Sequence, residues 1–183
     1  LIEGAAERIL LPKAITTCAE NLNSSHYTII EVGGAYAQHF IPLLDFIEIP
    51  SLIITDIDSV NPGNSNSAIQ TDRGQNQTTA NSTLKNILGK VKVDDLLDLN
   101  DDEKTVNEHI RICFQSEKDA YPLSDGTRLY ARSLEDAVIY ANTTTFFNLE
   151  SKDHFEEKRI KSLLKKSKTE EEIAVGAYAQ TRK

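Results

Sequence analysis

The chain has 183 residues, of which 39% are apolar and 26% charged, and its formal net charge is −8. This composition suits one packed domain of ordinary size and excludes wholesale disorder. The longest apolar runs, such as residues 52–54, are far shorter than the ~18 residues of a membrane span, and two cysteines are too few for a disulfide framework, so we expect a cytoplasmic setting and no membrane partner.

The first half of the chain alternates strands and helices. A short apolar run at residues 1–3 is followed at once by helix formers, with Pro12 expected to kink or split that helix. Residues 27–32 predict a second strand, and a helix with an irregularity at its proline follows over 35–47. The nearly continuous apolar run 51–55 predicts a strand buried on both faces. Strands separated by helices in this way predict βαβ crossovers and a parallel sheet.

The second half is less regular. Residues 61–81 are rich in Asn, Gln, Ser, Thr and Gly and predict a long, mobile loop. The further predicted elements, in chain order, are a helix over 82–88 that stops at Gly89, a solvated acidic surface helix and turn over 94–103, strands near 110–114 and 127–131, and a helix over 134–141 capped by Ser133.

Charge divides the chain unevenly. Residues 1–150 carry 11 Lys and Arg against 22 Asp and Glu, whereas the tail 151–183, predicted to be helical and highly charged, carries 9 against 6. An acidic body does not attract phosphate by charge, so a nucleic-acid partner would require metal ions, the basic tail or further domains. The chain contains no Met and opens directly in an apolar run. We therefore expect residues 1–183 to be a single domain of a longer protein.

Carboxylates lie where open α/β sheets place their sites, just beyond strand ends or at a helix start. The first stretch holds Glu3 and Glu7, the second holds Asp56 and Asp58, and the third holds Glu135, two residues after Ser133. Any one of these acids alone is more simply explained as a turn or cap residue, or as a charge that favours a helix dipole. Several converging carboxylates repel one another, and a bound cation compensates for that repulsion. Hard oxygen ligands with open positions favour Mg²⁺ or Mn²⁺.

The chain carries Glu3-Gly4-Ala5-Ala6-Glu7, then a buried strand, and then Asp56-Ile57-Asp58. This order resembles the TOPRIM signature of topoisomerases, bacterial primases and certain nucleases. A closer resemblance is to the TOPRIM domain of the overcoming-lysogenization-defect (OLD) family of ATP-dependent endonucleases, which includes the Gabija phage-defence nuclease. The stretches that carry it are residues 3–12, 31–34 and 53–58, with 132–137 similar to a later family segment.

The resemblance implies a Rossmann-like TOPRIM fold, an α/β fold with a mainly parallel central sheet flanked by helices, plus the charged helical C-terminal part. It also implies a DNA endonuclease that nicks or cleaves by two-metal phosphodiester hydrolysis, in which the two ions activate the attacking water and stabilise the leaving 3′ oxygen. The implied ligands of two Mg²⁺ or Mn²⁺ ions, or of metal-bound water, are Glu3, Glu7, Asp56, Asp58 and Glu135, with the hydroxyl of Ser133 near one ion.

The resemblance further implies that Glu3, Asp56 and Asp58 are catalytic together with a lysine late in the domain. Lys168 is the first candidate for that lysine, and Lys165 or Lys166 is an alternative. The implied partners are DNA, an N-terminal ATPase module of the full-length protein, and further copies of the chain. ATP would act only through that module.

Two other interpretations stay open. A receiver-like signalling module also gathers acids around Mg²⁺, but its adjacent acids follow the first strand, whereas Asp56 and Asp58 follow the third predicted strand. A catalytically silent TOPRIM scaffold would assemble with partners, although the intact set of acids argues against it. Metal-dependent nicking of plasmid DNA that is lost on changing Glu3 or Asp56 would favour the nuclease, and phosphorylation of Asp56 would favour the receiver.

Overall fold

The structure is a computed structural model that describes residues 1–33, 36–63, 67–123 and 126–142. The predictions for the tail 151–183, and with them Lys165, Lys166 and Lys168, lie outside the described residues. Within the described ranges, no helix has the length and apolar character needed to cross a membrane.

Six α-helices are present in the described residues, together with two short 3₁₀ helices. The α-helices are α1 (Ala5–Cys18), α2 (Glu20–Asn23), α3 (Ile41–Ile47), α4 (Ser82–Leu88), α5 (Val93–Leu97) and α6 (Leu134–Ala141), and the 3₁₀ helices span Ala37–Phe40 and Glu117–Asp119. The strands are β1 (Ser51–Ile54), β2 (Ser59–Val60), β3 (Thr78–Thr79), β4 (Thr105–Val106), β5 (Ile110–Cys113), β6 (Tyr121–Pro122) and β7 (Arg128–Leu129).

A parallel pairing stands at the centre of the molecule. Strand β1 pairs in parallel with β5, and β4 adds to the far side of β5 in the antiparallel sense. On the other side of β1, the Ile54 amide donates to the Leu1 carbonyl at 2.9 Å. Ile2 in turn forms a parallel bridge with Glu31. The prediction of a mixed α/β fold with parallel pairing is confirmed, although the first two predicted strands are reduced to this single bridge.

The core lies against one face of this sheet. Ile53, Ile110 and Ile112 are fully buried there and pack in one cluster with Leu84 of α4 and Leu96 of α5. Side chains alternate between the faces of a strand, so the neighbours of Ile53 point to the opposite face. That face is only partly covered by the described residues.

Several predicted elements differ from the structure. Leu52 is 45% exposed, so burial of β1 on both faces is wrong at that residue. Helix α1 runs as one element through Pro12, whereas the helix predicted over 35–47 is divided, with Pro42 in the first turn of α3. A proline in the first turn is tolerated because the amide it lacks has no partner within the helix there.

Two segments are less exposed than their composition predicts. Helix α5 buries Val93, Leu96 and Leu97, so a wholly solvated acidic helix is wrong. Within residues 61–81, outside the undescribed 64–66, Thr71 and Gln77 are buried. Strands β2 and β3 also pair across this segment. Its described part is therefore packed into the domain, and the prediction of a mobile loop is wrong for that part.

Candidate metal centre

Glu3 lies where the first strand segment ends and α1 is about to begin. Its Oε1 accepts hydrogen bonds from the Thr55 hydroxyl and from Nδ2 of Asn81, the latter at 3.0 Å. Burial raises the pKa of Glu3, those two donors lower it, and the charge of Asp58 raises it again. The carboxylate therefore lies among protein groups close to a second acid.

Glu7 lies in the first turn of α1 and is buried. Its Oε2 accepts a hydrogen bond from the Gly4 amide at 3.0 Å, which stabilises the start of the helix. Burial raises the pKa of Glu7, and the charges of Glu135 and Glu3 raise it further. Glu7 therefore helps to cap α1. Its carboxylate also lies close enough to Glu3 and Glu135 to be affected by their negative charge.

Asp56 follows β1 after one intervening residue, Thr55, and is held by two donors. Its Oδ1 accepts from Nε2 of Gln115 at 2.6 Å and from the amide of Leu134, the first residue of α6, at 2.8 Å. Burial raises the pKa of Asp56 to about 8; the Gln115 hydrogen bond opposes this, and the charges of Glu135, Glu3 and Asp58 add to it. The ionised carboxylate is therefore destabilised here, first by burial and then by the negative charge of the acids around it.

Asp58 adopts a left-handed backbone conformation with φ of 47°. Its Oδ1 pairs with Nη2 of Arg132 at 2.8 Å, and both side chains are about 30% exposed. Its amide donates to the Arg132 carbonyl at 3.4 Å, and its own carbonyl accepts from the Ala80 amide at 2.8 Å. Asp58 is consequently fixed by backbone contacts on two sides and by one guanidinium.

Ser133 and Glu135 belong to the start of α6. The Ser133 hydroxyl accepts from the Asp136 amide at 3.5 Å, which confirms the predicted cap. Glu135 is only 4% exposed, and its Oε2 is buried without a hydrogen-bond partner among the described residues. A buried carboxylate oxygen without a donor is costly unless a cation neutralises it. This oxygen, beside the other acids, fits a site for a hard divalent cation.

The three predicted stretches thus meet in one place. The negative charges of Glu3, Asp58 and Glu135 each raise the pKa of an acid from another stretch. As the side chains stand, no three His, Cys, Asp or Glu of the described residues are arranged so that they could hold one metal ion together. Glu3, Glu7, Asp56 and Asp58 are each turned toward a separate donor.

Three residues that organise the site were not predicted from the sequence. Asn81 caps α4 through Oδ1, and its Nδ2 contacts Thr55 and the Asp56 carbonyl. Gln115 donates to Asp56 while its Oε1 accepts from the Ile57 amide at 2.8 Å. Arg132 pairs with Asp58. Only Asn81 carried a local signal, because Asn before a helix is a typical cap; the other two are tens of residues away from the acids they contact.

Comparison with known families gives a match that includes the first two of the three acid-bearing stretches. Residues 1–58 match the family model described as overcoming lysogenization defect protein-like, TOPRIM domain. This range includes Glu3, Glu7, Asp56 and Asp58. Searches of curated proteins and of solved structures found no match. TOPRIM domains are of the nucleotidyl-transfer and nuclease type and generally bind divalent metals such as Mg²⁺. The first 58 of the 183 residues are thus similar to an OLD-like TOPRIM domain.

Proposed function

We propose that this chain is a metal-dependent endodeoxyribonuclease domain that nicks or cleaves DNA by hydrolysing a phosphodiester bond. The observation that carries the proposal is the buried Oε2 of Glu135, which has no hydrogen-bond partner in the described part of the chain and lies among acids from two other stretches. A site that binds two Mg²⁺ or Mn²⁺ ions accounts for this concentration of negative charge, and the family match supports that choice of metal.

The residues that we assign to the ions come from all three stretches. The proposed ligands, directly or through water, are Glu3, Glu7, Asp56, Asp58 and Glu135, with the hydroxyl of Ser133 beside them. When bound, such ions supply an activated water and stabilise the oxygen that leaves. Glu3, Asp56 and Asp58 are the proposed catalytic acids. The two donors to Oδ1 of Asp56, Nε2 of Gln115 and the Leu134 amide, hold this carboxylate in one orientation at the site.

A cation is also required where negative charge develops on the scissile phosphate. We assign this role to Lys168, which lies outside the described residues. Changing Lys168 to Ala should therefore lower the rate of cleavage while leaving the affinity for Mn²⁺ unchanged. The proposal also includes DNA as substrate, an N-terminal ATPase module in the full-length protein and self-association of the domain. The family match supports a nucleic-acid substrate and the ATPase module.

A plasmid assay tests the activity. The full-length protein is incubated with supercoiled DNA and Mg²⁺ or Mn²⁺, and nicking is expected to disappear in Glu3→Gln and in Asp56→Asn, because each change removes one negative ligand. Asp95→Asn is the matched control, since Asp95 is an exposed acid of α5. Nicking that survives in both site variants, or that proceeds equally in EDTA, would contradict the proposal.

A calorimetric titration tests metal binding separately from DNA cleavage. The chain is titrated with Mn²⁺, and both site variants should bind it more weakly than Asp95→Asn does. Metal binding without any nicking by the full-length protein would favour the silent scaffold. Incorporation of phosphate at Asp56 from a small phosphodonor would favour the receiver.

A further inference from the structure

Arg132 connects two of the acid-bearing stretches through both its side chain and its backbone. Its Nη2 pairs with Oδ1 of Asp58 at 2.8 Å, and its Nε donates to the Ser59 carbonyl at 3.3 Å. Its carbonyl accepts from the Asp58 amide, and its own amide donates to Oδ2 of Asp136 at 3.0 Å. One residue thus fixes the Asp58 carboxylate relative to the start of α6, where Ser133 and Glu135 lie.

We infer that Arg132 is a positioning residue that sets the Asp58 carboxylate in the orientation needed to bind a divalent cation together with Glu135. This inference rests on the proposed function. The geometry supports it because the guanidinium is anchored at a second point, the Ser59 carbonyl, and so presents its Nη2 to Asp58 in a fixed direction. The rigid planar group of Arg is suited to such a two-point contact, and a Lys ammonium is not.

A competing role for Arg132 predicts the opposite effect. A guanidinium that merely neutralises Asp58 would repel an incoming cation, and its removal would then strengthen metal binding. Partners that orient a ligand typically contribute ten- to a hundredfold to metal affinity. The pair is partly exposed, so solvent screens the repulsion between the guanidinium and a metal ion. Orientation is therefore expected to outweigh repulsion.

Titration of the chain with Mn²⁺ distinguishes the two roles. We expect Arg132→Gln to weaken the affinity for Mn²⁺ roughly tenfold to a hundredfold. Arg132→Lys should give an intermediate affinity, because it restores the charge but not the two-point contact. Arg111→Gln is the matched control: Arg111 pairs with Asp101 in an exposed ion pair and carries the same charge. Its affinity for Mn²⁺ should equal that of the wild type.

A double-mutant cycle shows whether Arg132 acts through Asp58. In the Asp58→Asn background, Arg132→Gln should cause little further loss of Mn²⁺ affinity, because the carboxylate that it positions is gone. Urea unfolding in EDTA identifies any variant that has lost its fold. If Arg132→Gln does not fold, Arg132→Lys serves as the test variant in its place. Unchanged or tighter Mn²⁺ binding by Arg132→Gln would overturn the inference while leaving the metal site standing. A wild-type chain that binds no Mn²⁺ would overturn both.

Discussion

Asp56 is a carboxylate in surroundings that favour its neutral form. Its ordinary pKa of 3.8 is raised to about 8, first by burial and then by the charges of three neighbouring acids. Gln115 and the Leu134 amide stabilise the ionised form, but they do not compensate fully. A bound divalent cation would reverse this balance, because an adjacent positive charge favours the ionised carboxylate.

The stability of the metal-free protein should therefore depend on pH in a particular direction. Between about pH 4 and pH 8, the folded chain keeps the proton on Asp56 that the unfolded chain has released. The free energy of unfolding then falls as pH rises, by up to about 1.4 kcal/mol per pH unit for this one group. Burial also raises the pKa of Glu3 and of Glu7, and these shifts act in the same direction.

Urea unfolding in EDTA at several pH values between 5 and 8 measures this dependence. Asp56→Asn should flatten the slope, whereas the exposed change Asp95→Asn should not. An equal slope in the wild type and in Asp56→Asn would show that Asp56 is ionised throughout this range.

At the scale of elements, Asn81 serves a helix and the acid cluster at once. Its Oδ1 accepts from the Leu84 amide at the start of α4, while its Nδ2 reaches Glu3, Thr55 and the Asp56 carbonyl. The residue is almost fully buried. The helix that follows β3 and the ends of two strands are therefore held together by one amide group.

Two substitutions separate these contributions of Asn81. Asn81→Ala removes the cap, worth about 1 kcal/mol, and leaves buried groups without a donor, at a further cost of about 1–3 kcal/mol. Asn81→Asp keeps the cap acceptor but places an oxygen against Glu3, so its destabilisation should be greater at pH 8 than at pH 5. Unfolding free energies measure both effects. Asn100→Ala is the control, because Asn100 accepts from two amides in an exposed turn. A loss as small as that of Asn100→Ala would contradict the dual role of Asn81.

How far the sequence predicts the structure depends on the range of each signal. Strands β1 and β5, helix α4 with Gly89 at its end, and the Ser133 cap follow from local patterns and are confirmed. The acids of α5 predict a solvated helix, whereas the apolar residues between those acids decide its burial. The contact of Gln115 with Asp56 joins residues 59 positions apart, which no local pattern specifies.

At the scale of the whole molecule, negative charge dominates. The formal net charge of the chain is −8, and acids from separate stretches meet at one edge of the parallel sheet. This charge opposes both the compact state and the approach of a polyanion. Divalent cations bound at the proposed site would relieve both effects, so the fold and the proposed activity should respond to the same ion.

Thermal unfolding in the presence of Mg²⁺ tests this coupling. A ligand that binds only the folded state at a hundred times its dissociation constant adds about 2.7 kcal/mol of stability. For a chain of this size, that should raise Tm by roughly 5–10 °C. NaCl at equal ionic strength is the control for general screening, and the double variant Glu3→Gln, Asp56→Asn should lose the increase. An equal rise of Tm in NaCl would indicate screening without a specific site.

The hydrogen bond between the Ala80 amide and the Asp58 carbonyl closes the chain between these two residues into a ring, and Ser59 stands opposite Thr79 just inside it. Closure entropy grows slowly with length, by about 0.6 kcal/mol for each doubling of a flexible loop. Residues added to an exposed part of this ring should therefore cost little closure entropy. For protein engineering, the exposed turn at Pro62-Gly63 is accordingly a convenient place to insert a peptide tag, since the hydrogen bond between Asp58 and Ala80 can stay in place.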